Sequence, residues 1–130
     1  MKYSELLVWE KSMDLVTHVY QLARVFPTEE KFGLVSQLQR AAVSIPANIA
    51  EGHGRKSTGA YLNHISIANG SLMEVETLTQ IASRLRYLKP EQVKDLLNRT
   101  DEIGKMLSGL HRSLNPRPLA SLSPILNPAS

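Results

Sequence analysis

The chain has 130 residues, enough for one domain with a substantial core, and its aromatic content of 5% predicts that this core is aliphatic. It has no cysteine, which excludes a disulfide framework, a thiolate metal site and a cysteine nucleophile. No segment is apolar over the length of a membrane span and the N-terminus does not read as a signal peptide, so we expect a cytoplasmic protein without membrane contact. The net charge of +3 is mild, and residues 31–60 carry four basic residues and one acidic residue. This bias can face an anionic partner but is well short of a typical nucleic-acid footprint.

The first predicted helix covers about residues 5–26. Its apolar side chains make two adjacent stripes, a wider face than one partner helix needs. Pro27 ends this helix, Thr28 is a favourable N-cap for the next one, and the two glutamates that follow suit its positive end. The stripes consist of Trp9, Met13, Val16, Tyr20 and Ala23, and of Leu15, Val19, Leu22 and Phe26.

The second predicted helix contains the stretch QLQRAAVSIPANIAEGHGRK, residues 37–56. Small residues between its apolar positions let a neighbouring helix approach closely. Pro46 falls inside the pattern and predicts a kink. We expect Gly52 and Gly54 to end the helix in left-handed conformations. The apolar face consists of Val35, Leu38, Ala42, Ile45 and Ile49.

The polar residues of this stretch allow two interpretations. Arg40 can contact phosphate, but the favoured interpretation is an ion pair with Glu74 or Glu76 of the third helix. Asn48 and Glu51 can bind a ligand, but we expect them to cap the helix end and to satisfy backbone groups freed by the proline. Binding and simple solvation are equally favoured for the loop residues His53, Arg55 and Lys56.

The third predicted helix begins after Ser57 or Thr58. The dipeptide Asn69-Gly70 is a turn signal that allows two shorter helices, but the apolar spacing continues in phase across it and favours one helix. A glycine there can allow a close helix crossing. Three cations near the end either compensate the helix dipole or form a basic patch, and these are Arg84, Arg86 and Lys89.

The fourth predicted helix begins at Pro90, which is favoured at a first helical position. Its apolar seam consists of Val93, Leu96, Thr100, Ile103, Leu107, Leu110 and Leu114. Four prolines then follow within residues 115–130. The sequence thus predicts a four-helix domain over residues 1–114 and a proline-rich tail over residues 115–130 that is flexible or docked.

The residue types that carry catalysis do not come together in the sequence. Gly52-His53-Gly54 is too short for a phosphate loop. The four histidines fall on different elements, and Glu74 and Glu76 are two residues apart, so they point to different sides of a helix. We therefore expect a non-enzymatic protein without metal or cofactor.

The central stretch resembles a family of small four-helix-bundle proteins. They were first noticed as reading frames inside intervening sequences of bacterial large-subunit ribosomal RNA genes, and the accessory variability protein of diversity-generating retroelements is related to them. The match covers roughly residues 5–90, and RAAVSIPANIAEG is its most specific part. One departure is Asn69, where the family usually has a basic residue. The motif residues given a structural role are Arg40, Ser44, Pro46, Asn48, Glu51 and Gly52, and the other matching segments are residues 7–15, 26–27, 33–34, 37–38, 54–55, 68, 70–72, 74 and 76–77.

The resemblance implies an all-α, antiparallel up-down four-helix bundle. It also implies a ring-like homo-oligomer, a pentamer in known relatives. The retroelement relative binds nucleic acid and its reverse transcriptase. The hypothesis is therefore an oligomeric, non-enzymatic scaffold that binds RNA or DNA. The alternative is a protein-interaction adaptor that docks on a partner such as a reverse transcriptase, which added salt distinguishes from phosphate binding. The candidate nucleic-acid contacts are Lys31, Arg55, Lys56, Arg84, Arg86 and Lys89.

Overall fold

The computed structural model describes residues 1–115, and in this part of the chain every regular element is helical. Neighbouring helices run antiparallel, each packs against the next, and the last helix also packs against the first. This is the up-down four-helix bundle, so the predicted fold class is confirmed. The predicted tail, apart from Asn115, lies outside the described residues. The helices are α1 (Leu7–Ala23), α2 (Leu34–His53), α3 (Thr58–Arg84) and α4 (Pro90–Leu114), with short 3₁₀ turns at Tyr3–Glu5 and Thr28–Glu30.

The core lies along the bundle axis and is aliphatic, as the scarcity of aromatic residues predicts. One α1 stripe, from Leu15 to Phe26, is buried, whereas Met13 and Tyr20 on the other stripe are 41% and 47% exposed. The α1 face is thus wider than the bundle requires. Over the described residues, no helix is both long and apolar enough to cross a membrane. The largest fully buried side chains include Leu15, Leu38, Ile45, Ile49, Leu72, Leu96, Ile103 and Leu107.

The start of α2 differs from the prediction. Thr28 belongs to a 3₁₀ turn and caps nothing, and α2 begins only at Leu34. The carboxylate of Glu30 performs the capping instead, because its Oε1 accepts the backbone N–H of Leu34 at 3.2 Å. Glu30 can do so because the turn of residues 31–33 places it beside the first turn of α2.

The prediction that two glycines end α2 in left-handed conformations is wrong. Gly52 lies inside the helix and Gly54 has a φ of −81°. Gly52 is buried where α3 crosses, and a Cβ added to it would lie 2.8 Å from the Cβ of His64 and 3.0 Å from Cδ1 of Tyr61. The glycine therefore permits a close approach of two helices.

A single continuous α3 is confirmed, with the hydroxyl of Ser57 accepting the N–H of Ala60 at its N-terminus (3.1 Å). The suggested close crossing at Gly70 is wrong within this chain. Nothing lies within 4 Å of a Cβ added to Gly70, so this glycine faces open space on the bundle surface.

Replacing Gly70 by alanine is therefore expected to raise the free energy of unfolding by about 1 kcal/mol, the difference in helix propensity between these residues. Urea unfolding at a fixed subunit concentration measures the change. A loss of stability would show that Gly70 is covered, either within the bundle or by a neighbouring subunit.

Candidate nucleic-acid interface

The antiparallel topology sorts the candidate cations into two groups. The loops 24–33 and 85–89 meet at one end of the bundle, whereas the loop 54–57 and the N-terminus lie at the other. The twenty residues of α2 separate the two ends by about 30 Å. We call the first the basic end, residues 24–33 and 84–94, and the second the motif end, residues 1–6 and 53–58. Lys31, Arg84, Arg86 and Lys89 thus lie together, and Arg55 and Lys56 lie apart from them.

The two loops of the basic end are held together by Tyr87. Its ring packs against Phe26 with centroids 5.6 Å apart, and its hydroxyl donates to Oε2 of Glu30 at 3.0 Å. The hydrogen bond to this carboxylate raises the pKa of Tyr87, so the phenol stays protonated as the donor. Because Glu30 also caps α2, its carboxylate is engaged within the protein on both oxygens.

The basic end carries six basic and three acidic residues, a net charge of +3. All six cations are exposed, and within residues 1–115 none of them makes an ion pair. Their side chains are therefore available to an anion from outside the chain. The six are Arg24, Lys31, Arg84, Arg86, Lys89 and Lys94.

Arg86 adopts an unfavourable backbone conformation, with a φ of 61°. Its N–H donates to the carbonyl of Ser83 (3.0 Å), and the N–H of Tyr87 donates to that of Ala82 (2.9 Å). This is the Schellman arrangement that ends α3, and glycine is the usual residue at the left-handed position because a side chain there costs about 1 kcal/mol. The sequence keeps an exposed cation at this position despite that cost.

A surface groove of about 1050 Å³ opens beside Arg86. Apolar side chains from the α1–α2 loop, the α3–α4 loop and α4 line it together with three cations, and no carboxylate takes part. Such a surface combines apolar area with uncompensated positive charge. The lining residues are Val25, Ser83, Arg86, Tyr87, Leu88, Lys89, Pro90, Gln92, Val93, Lys94, Leu97 and Asn98.

Arg55, at the motif end, takes part in a chain of hydrogen bonds between α2 and α3. Its Nε donates to Nε2 of His64 (3.2 Å), so the imidazole proton is on Nδ1, which donates to Oδ1 of Asn48 (3.0 Å). Nδ2 of Asn48 then donates to the hydroxyl and the carbonyl of Ser44 at 3.0 and 2.9 Å. The Ser71 hydroxyl donates to the same Ser44 hydroxyl at 2.8 Å. The motif residues thus lock α2 to α3, and Arg55 has a structural role.

The last turn of α2 is fixed by a second set of contacts. His53 accepts the hydroxyl of Tyr61 on Nδ1 (3.1 Å), and its Nε2 donates to the carbonyl of Met1 (2.8 Å). Burial raises the pKa of Tyr61, in keeping with its role as a donor. Glu51 is exposed, with Oε2 3.8 Å from Nδ1 of His64. These contacts attach the N-terminus and α3 to the end of α2.

The favoured ion pair of Arg40 with Glu74 or Glu76 is wrong for the described residues. Arg40 is exposed and borders a shallow groove with Tyr20 of α1 and Val43. Arg40 therefore shares a surface with α1 and makes no ion pair with α3 in the described part of the chain. Pro46 is buried within an uninterrupted α2.

Residues 1–115 contain no group of three or more histidine, aspartate or glutamate residues placed to hold a metal ion. His18 of α1 lies with its Nε2 2.8 Å from Oδ2 of Asp95 on α4, and burial lowers the pKa of this histidine. The pair links two helices of the bundle.

The sequence analysis did not predict a role for three residues of the basic end, Arg24, Lys94 and Phe32. Lys94 reaches the groove from the first turns of α4. Phe32 is 88% exposed, and Nζ of Lys31 lies 5.4 Å from its ring centroid. The sequence feature that could have indicated Phe32 is a lone aromatic residue beside a lysine in a short loop that ends in glycine.

Comparisons with known proteins identify the family to which this chain is similar. The model of the family described as 23S rRNA-intervening sequence protein matches residues 4–109. A similar solved structure is a protein of unknown function from the S23 ribosomal protein family of Bacteroides thetaiotaomicron. It shares 26% identity at a TM-score of 0.76, over 82% of this chain and 99% of its own. No curated protein matches the sequence significantly.

Proposed function

We propose that this chain, which belongs to the 23S rRNA-intervening sequence protein family, is a non-enzymatic scaffold that binds nucleic acid through its basic end. The observation that carries the proposal is the set of six exposed cations without ion pairs at one end of the bundle. Phosphate groups are the anions that such a surface recognises, because each neutralised phosphate releases condensed counterions.

The conformation of Arg86 supports the same proposal. Glycine at position 86 would stabilise the fold more than arginine does, so the arginine side chain is free for a purpose other than stability. Sparsely populated backbone conformations concentrate at functional sites. Arg86 also borders the groove, next to Lys89 and Lys94. The motif end is the weaker candidate for nucleic-acid binding, because Arg55 donates a hydrogen bond to His64 within the protein.

A homo-oligomer is part of the proposal. Each subunit leaves apolar side chains exposed on α1 and α3, surface that contacts between subunits can bury. A ring would repeat the basic end once per subunit, so that weak contacts by single subunits add up through avidity. These exposed residues include Leu7, Met13, Tyr20, Ile67, Met73 and Ile81.

Replacing Arg86 by glycine is expected to raise the free energy of unfolding by about 0.5–1 kcal/mol, because the left-handed conformation is relaxed. Nucleic-acid affinity is expected to fall in the same variant, with the slope of log affinity against log salt reduced by about one unit. Urea unfolding and a fluorescence titration measure the two effects. A variant that is more stable and binds unchanged would remove Arg86 from the interface.

The test of the proposed function is a titration of the full chain against structured RNA and duplex DNA, from about 50 to about 200 mM salt. Light scattering in the same buffer gives the mass of the binding species. We expect an oligomer whose affinity falls steeply with salt. An oligomer that binds neither nucleic acid at the lowest salt would overturn the proposal and favour the adaptor.

A further inference from the structure

We infer that the basic end takes unpaired nucleotides, and therefore binds single-stranded nucleic acid or looped-out bases in preference to duplex. This inference rests on the proposed function and adds the form of nucleic acid that the site accepts. Two separate features of the basic end carry it, the apolar groove and the exposed ring of Phe32.

The groove has the composition of a site for a flat apolar group attached to an anion. Val25, Val93 and Leu97 supply apolar surface, while Arg86, Lys89 and Lys94 supply positive charge. Its volume of about 1050 Å³ is sufficient for a nucleotide. In a duplex the base faces are stacked against each other, so only an unpaired base can offer an apolar face to such a surface.

The groove also carries polar groups that suit a base edge. Asn98 and Ser83 line it, and each has both a donor and an acceptor. Unpaired bases expose their hydrogen-bonding edges to such side chains, whereas phosphates offer only acceptors. The complete absence of carboxylates from the lining complements the charge of a nucleotide backbone.

Phe32 provides the second feature. Its side chain is 88% exposed and makes no core contact that would explain an aromatic residue in the loop. Lys31 lies over its ring, so an aromatic face and a cation are adjacent at the same end as the groove. Aromatic rings on which bases stack, next to cations that track the backbone, are the recurring elements of single-strand recognition.

The experiment compares oligonucleotides of equal length and composition, one unpaired and one in a duplex, at the same salt concentration. A third probe is a hairpin carrying 2-aminopurine either in its loop or in its stem. We expect the single strand to bind at least about ten-fold more tightly than the duplex, and fluorescence to change for loop-placed 2-aminopurine only. Equal affinity for the two forms would overturn the inference and leave the proposed function standing, whereas no binding to either form would overturn both.

Two variants locate the effect. Phe32→Ala is expected to weaken single-strand binding about ten-fold, with duplex binding and stability unchanged, because this side chain is exposed. Tyr3→Ala, which removes a half-exposed ring at the motif end, is the matched control and is expected to bind as the unmodified chain does. Single-strand binding unaffected by Phe32→Ala would overturn the role of this ring. Displacement of the oligonucleotide by an acidic, leucine-containing peptide at equal concentration would make the groove a protein-binding surface and overturn the inference.

Discussion

Neutralising the three groove cations together, as Arg86→Gly, Lys89→Gln and Lys94→Gln, is expected to lower nucleic-acid affinity by about two orders of magnitude near 50 mM salt. Each cation that contacts phosphate contributes about 0.9 to the slope of log affinity against log salt, so we also expect the slope to fall by roughly 3 units. A salt series of fluorescence titrations measures both. The fold should persist, because all three side chains are exposed and make no ion pair within the described residues.

The matched control removes three cations elsewhere, as Lys2→Gln, Lys105→Gln and Arg112→Gln. These side chains are also exposed, and Lys105 has only a surface pair with Asp101 at 3.2 Å, worth about 0.3–0.5 kcal/mol. The control has the same net charge as the groove variant. If both variants lose affinity equally, the effect belongs to overall charge and the basic end has no special role.

Replacing Gly52 by valine is expected to lower the free energy of unfolding by roughly 3 kcal/mol, because its side chain would overlap α3. The added Cβ would lie 2.8 Å from the Cβ of His64, an atom near the α3 backbone that cannot rotate away. Relief requires α3 to move, which would also disturb the hydrogen bond between His64 and Asn48. Urea unfolding followed by circular dichroism measures the loss.

Gly54→Ala is the control for this variant. An added Cβ there meets only ordinary contacts of 3.6 and 3.7 Å, and the backbone conformation suits any residue. We expect its stability to match that of the unmodified chain within about 0.5 kcal/mol. A Gly52→Val chain of unchanged stability would show that α2 and α3 do not pack as closely as described.

Local patterns were sufficient to predict the helices, because a 3.6-residue period depends only on neighbours in sequence. The period carried α3 correctly across Gly70, and Pro90 correctly marked the start of α4. Helix ends were less predictable. Glu30 caps α2 from a 3₁₀ turn, and its second partner, Tyr87, is 57 residues away in the sequence. Such distant partners are invisible to spacing rules.

The candidate site was predictable in part. The cations Arg84, Arg86 and Lys89 were recognised, and the antiparallel fold implied by the resemblance already places their loop beside that of Lys31. The prediction for Gly52 is wrong because a glycine that allows two helices to cross closely and a glycine that ends a helix cannot be distinguished in the sequence. The structural role of Arg55 depends on its hydrogen bond to His64 of the next helix, and the functional interpretation of Arg86 depends on its φ of 61°. Neither can be derived from the sequence.

The most direct test of a nucleic-acid interface at the basic end is ultraviolet cross-linking of the bound complex, with the attached peptides identified by mass spectrometry. The oligonucleotide is a 4-thiouridine-containing single strand at low salt. We expect cross-links in residues 24–33 and 84–98, and their loss in the triple groove variant. Cross-links concentrated in residues 1–6 and 53–58 would contradict it, because the binding surface would then lie at the motif end.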